Sequence, residues 1–76
     1  MEEYVRRMID EHKELSSKIR ALKNFLDTKQ DEDFNDEKLA MMYAQKCAME
    51  TYSYILAQRL CLEAEEGNCT LEDLNS

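Results

Sequence analysis

The stretch Tyr4-Val5-Arg6-Arg7-Met8-Ile9-Asp10-Glu11-His12-Lys13-Glu14-Leu15-Ser16-Ser17-Lys18-Ile19-Arg20-Ala21-Leu22-Lys23-Asn24-Phe25-Leu26 decides the fold. Val5, Met8, His12, Leu15, Ile19, Leu22 and Leu26 recur at alternating steps of three and four, a heptad rhythm that lays one narrow apolar seam along a helix. Glu2/Arg6, Glu3/Arg7 and Glu14/Lys18 are i,i+4 pairs in the favourable order on the wet side. The spacing predicts a helix over about 3–27, roughly 37 Å long at 1.5 Å per residue, too long to close into a globule within so short a chain.

Beyond Thr28 the periodicity stops, and Lys29 to Asp33 carry the acids Asp31, Glu32 and Asp33, so 28–35 reads as a loop. Asn35 then serves as an N-cap, Asp36 and Glu37 complement the helix dipole, and Phe34 with Leu39 forms a hydrophobic staple. The second helix is expected over about 36–66, stopped by Gly67 as the left-handed residue past its end. Thr70 with Glu72 and Asp73 offers the start of one more turn in the short tail, 67–76. The whole chain, 1–76, reads as a single helical-hairpin domain: an all-α, antiparallel, coiled-coil-like pair of long helices. Composition agrees, because the sequence holds no proline and a single glycine, whereas a β-rich or loop-rich domain needs turn residues.

Helix 2 carries more apolar surface than one partner helix covers. Met42, Met49, Leu56 and Leu60 make a stripe suited to helix 1. Met41, Ala44, Ala48, Ile55 and Leu62 make a second, and Tyr43, Cys47, Tyr54 and Cys61 a third. Faces of that extent imply association. Met41, Ala48, Ile55, Leu62 and Tyr54 are therefore the expected interface of a homo-oligomer. A symmetric dimer forming a four-helix bundle is the first expectation, and a larger even-numbered assembly its competitor.

Of the net charge of −7, none falls in the first 28 residues, where six acids meet six bases; the remainder holds eleven acids against four bases. That balance argues against DNA or RNA as partner, since such binding needs clustered cations to release counterions. No apolar run is long enough to span a bilayer, and none resembles a signal peptide. With three cysteines, an odd number, the chain reads as cytoplasmic with reduced thiols. Cys47 and Cys61 read as small core residues and Cys69 as a tail thiol. Their spacing lacks the close pairs of a zinc site, so neither a metal nor a cofactor is expected.

One histidine and no Gly-rich or nucleophile motif leave no catalytic constellation, so the chain reads as a binding protein and not an enzyme. The candidate ligand residues are Arg59, Lys46, Tyr52 and His12. Lys46 falls among the methionines of the first stripe and Arg59 beside Tyr52 and Ile55 on the second. Cations so placed either snorkel past an interface edge or meet an anion, and arginine suits phosphate. His12 interrupts the seam either as a polar residue that fixes register or as a group facing a ligand. In a symmetric dimer each residue occurs twice, so two copies could converge on one anionic ligand.

The segment Asp10-Glu11-His12-Lys13-Glu14-Leu15-Ser16-Ser17-Lys18-Ile19, with Leu22 and Phe25-Leu26 after it, is similar to a pattern found in a family of very small helical-hairpin proteins of tailed bacteriophages and prophages, crAss-like phages among them. Ala48-Met49-Glu50-Thr51-Tyr52 and Ile55-Leu56-Ala57-Gln58-Arg59-Leu60 resemble its second half. The likeness covers about residues 4–62; the Met- and Cys-rich start of helix 2 departs from it, and the tail after Glu63 has no counterpart. The resemblance brings no catalytic residues. It implies a phage accessory protein acting in the cytoplasm of the infected bacterial host, of the kind that neutralises host immunity. The function expected first is sequestration of a small, cyclic nucleotide immune signal between subunits. The alternatives are a protein-binding inhibitor that presents its acidic surface to a host defence protein, or a structural coiled-coil adaptor.

Overall fold

A computed structural model describes residues 1–28 and 36–75. Helix α1 spans Glu3–Thr28, α2 spans Asp36–Glu65, and a short α3 spans Leu71–Asn75. The expected N-cap Asn35, the staple residue Phe34 and the acidic triplet Asp31–Asp33 lie outside the described residues.

Helices α1 and α2 pack side by side as a helical hairpin within a body of 50 × 18 × 16 Å. Their antiparallel sense is fixed by two cross-helix contacts in reversed order: Tyr4 meets Glu63, and Glu11 meets Tyr52. Two i,i+4 pairs foreseen on α1 are formed on its exposed side, Arg7–Glu3 at 3.1 Å and Lys18–Glu14 at 3.7 Å.

Burial is uneven along the seam. Val5, Met8 and Leu26 are buried, but His12, Leu15, Ile19 and Leu22 are only half-buried. On α2, Leu56 and Leu60 are buried while Met42 and Met49 remain half-buried. Two helices touch along one line and leave both edges of that line wet. The largest buried cluster forms where a third element covers one of those edges.

The tail supplies it. At the end of α2 the Gly67 amide donates to the Ala64 carbonyl at 3.0 Å, and the Asn68 amide to the Glu63 carbonyl at 2.9 Å. This is the paired-bond termination that requires a left-handed residue, and Gly67 has φ +80°. The reversed chain then turns back over the helix pair. Thr70 and Asp73 cap α3 reciprocally: the Thr70 amide donates to Asp73 Oδ2 at 2.9 Å and the Asp73 amide to Thr70 Oγ1 at 3.2 Å. Cys69 and Leu74 thereby reach Val5, Met8, Ile9, Leu56 and Leu60, and this cluster is the core.

The cysteine assignments are reversed. Cys47 and Cys61, expected as small core residues, are exposed, and Cys69, expected as a tail thiol, is buried. Cys47 and Cys61 sit on the side of α2 turned away from α1, whereas the turn at Gly67 drives Cys69 into the core. Burial raises the Cys69 thiol above its ordinary pKa, and the nearby carboxylates Asp73 and Glu63 add to the effect.

Candidate functional site

One flank of the hairpin carries two cross-helix hydrogen bonds. Tyr4 projects from the first turn of α1 and donates to Glu63 Oε2 at 2.8 Å. About two turns further along α1, Glu11 accepts a hydrogen bond from the Tyr52 hydroxyl of α2. Each tyrosine therefore donates a hydrogen bond to a glutamate of the other helix. Those hydrogen bonds, together with partial desolvation and the negative charge of the same glutamates, raise both phenols above their ordinary pKa.

Beside the second pair lies an open hollow of about 270 Å³ lined by Glu11, Glu14, Leu15, Lys18 and Tyr52. Leu15 contributes the aliphatic part of the lining and Tyr52 the aromatic part. Glu14 and Lys18 pair at 3.7 Å within this lining, and Tyr52 is 41% exposed. Arg59 lies seven residues after Tyr52, two turns along the same face of α2. Its positive charge acts on the phenol in the direction opposite to Glu11.

The four candidate ligand residues do not converge within one hairpin. Tyr52 and Arg59 share the flank just described. Lys46 lies about 120° from Tyr52 and about 140° from Arg59 around α2. Its side chain is 23% exposed and its ammonium pairs with Glu50 Oε1 at 3.3 Å on its own helix. His12 is half-buried in the seam, adjacent in sequence to Glu11.

The candidate interface residues divide in the same way. Met41, Ala48, Ile55 and Leu62 recur every seven residues on one exposed stripe, next to Tyr52 and Arg59; Met41, Ile55 and Leu62 are 64%, 46% and 58% exposed. Tyr54 is 65% exposed but lies about 100° further round α2. It shares that outer strip with Tyr43, Cys47 and Cys61.

Sequence reading did not single out Glu11 or Glu63. The sign available was a tyrosine at the edge of each helix seam with a carboxylate at the matching edge of the other, but pairing them requires the register between helices. Glu14 and Lys18 were visible only as an intrahelical pair. Among the described residues no group of three His, Cys, Asp or Glu side chains is placed to hold a metal ion, and no helix is long and apolar enough to cross a membrane.

The architecture is that of a helical hairpin with a polar flank and an unpaired apolar stripe. The chain belongs to the Sequestin family, whose model matches residues 2–62. The match takes in all of α1 and nearly all of α2, including Glu11, Tyr52 and Arg59, and stops before Glu63 and the tail. Searches of curated proteins and of solved structures returned no match.

Proposed function

We propose that this chain is a non-enzymatic sequestering protein that holds a small nucleotide signal between copies of itself, acting for a bacteriophage against host defence. The family name speaks of sequestration. The observation that carries the ligand class is the flank where Tyr52 borders an open hollow with Arg59 two turns away. The exposed face of Tyr52 offers a stacking surface for a base. Glu11 and Glu14 accept hydrogen bonds from an exocyclic amine of that base, as carboxylates do. Arg59 and Lys18, each about two turns from the Tyr52–Glu11 level but in opposite directions along the hairpin, take separate phosphates.

The volume of the hollow supports a shared site. Small-molecule pockets usually span about 300–1,000 Å³ and bury most of their ligand, so about 270 Å³ open on one side is part of a site. A second copy laid along the neighbouring apolar stripe supplies the missing wall. His12 supports the seam beneath Glu11 and Leu15. Lys46, on another side of α2, lies outside this site.

Titration calorimetry with a panel of cyclic mono- and dinucleotides tests the reading. Arg59→Ala and Tyr52→Ala should each weaken binding of the preferred nucleotide at least tenfold, and Lys46→Ala should leave it unchanged. Absence of binding across the panel, or equal affinity for the Arg59→Ala protein, would sink it.

A further inference from the structure

The stripe Met41, Ala44, Ala48, Ile55, Leu62 also dictates how a second copy lies on it. We infer that two hairpins pair antiparallel through this stripe of α2, with Ala48 of each seated against Ile55 of the other and Met41 against Leu62. This rests on the self-association in the preceding reading and adds its direction, its register and what the second copy brings to the site.

Size is distributed unequally along the stripe. Its amino-terminal half carries the alanines 44 and 48, and its carboxy-terminal half the larger Ile55 and Leu62. A parallel pair would set Ala48 on Ala48 and Ile55 on Ile55, leaving a gap at one level and crowding the next, both unfavourable in a close-packed interface. Reversing one copy about the midpoint between Ala48 and Ile55 sets small against large at both inner levels. All four exposed layers are covered without extending either helix past the other.

Between Met41 and Leu62 the stripe runs about 32 Å, and at a width of about 10 Å it offers roughly 320 Å² per copy. A symmetric pair buries about 640 Å² from the stripe alone, and the residues that flank it bring the interface toward the roughly 1,000 Å² that a specific one needs.

This pairing places the site residues. The two-fold axis of an antiparallel helix pair is perpendicular to the plane of the two helices, so both α1 helices, and both hollows, open on the same side. Tyr52 lies within one residue of the axis, so the two Tyr52 side chains face each other across it. The two Arg59 residues lie about 22 Å apart along the helices. They grip separate phosphates, one at each end of a shared cleft, and do not converge on one.

Exchange of charge at the inner layers tests direction and register without any ligand. Both positions are exposed, so Ala48→Glu, Ile55→Lys and the double variant should keep the helical circular dichroism of the unmodified protein. Mass in solution by light scattering should show a pair for the unmodified chain and single hairpins for each single variant. The double variant should pair again, because the introduced carboxylate of each copy then meets the introduced ammonium of the other. A double variant that stays single overturns the antiparallel register, because parallel copies set like charges together. A wild-type chain that stays single, or single variants that stay paired, overturns the stripe as the interface. Nucleotide binding enters none of these readouts, so a failed ligand assay and a failed pairing are told apart.

Discussion

Tyr4 and Glu63, 59 residues apart in sequence, are joined by a 2.8 Å hydrogen bond from the phenol to Oε2, and Asn68 Nδ2 donates to the same oxygen at 2.7 Å. One carboxylate thus ties the first turn of α1 to the last turn of α2 and to the start of the tail. The Tyr52–Glu11 bond repeats the device further along the flank. The two bonds mark the helix register along this flank, one beside the core end and one at the half-buried middle.

The phenols of Tyr4 and Tyr52 should ionise late. Both pKa values are raised in the folded protein, so each contributes stability that is fully present below the ordinary value near 10 and is lost as pH rises through the higher folded value. Ultraviolet titration of tyrosinate should show a late-ionising component that shrinks in Tyr4→Phe and again in Tyr4→Phe/Tyr52→Phe. A wild-type curve that is superimposable on that of the double variant, scaled for tyrosine number, would contradict the two bonds.

Thiol chemistry should separate the cysteines into two classes. A disulfide reagent at neutral pH should label exposed Cys47 and Cys61 quickly and Cys69, 7% exposed and raised in pKa, slowly. Asp73→Asn weakens the reciprocal cap of α3, and should speed the slow phase while leaving the fast phases alone. Three equal rates in the unmodified protein would mean that the tail does not dock.

The core end should dominate stability. Leu56, with no exposed surface, should cost about 2–5 kcal/mol when replaced by alanine, as buried leucines do. The half-buried Leu22 should cost distinctly less, since the same truncation there removes contacts already shared with water. Urea unfolding followed by helical circular dichroism measures both. Equal losses would mean that the seam, and not the three-sided cluster, carries the fold.

Gly67→Ala isolates backbone strain from packing. A Cβ at Gly67 would meet nothing within 4 Å, so space is not at issue. The φ of +80° is the obstacle, and alanine there should destabilise by about 1 kcal/mol in the same urea experiment. The slow Cys69 phase should speed up in this variant too, because the turn delivers Cys69 to the core.

What the sequence determined by itself is what depends on local periodicity. The heptad from Val5 to Leu26, the apolar stripes of α2 and the glycine stop at Gly67 are set within a few turns, and they specified an antiparallel helical hairpin. The surplus of apolar surface on α2 was equally legible, since it needs only the angle between successive residues. Packing between distant segments set the rest. Register across the seam paired Tyr4 with Glu63 and Tyr52 with Glu11. The reversal after Gly67 buried Cys69, while the side of α2 that faces away from α1 left Cys47 and Cys61 in water. Each of these depends on which residues of distant segments lie opposite one another, and no spacing within a single helix encodes that.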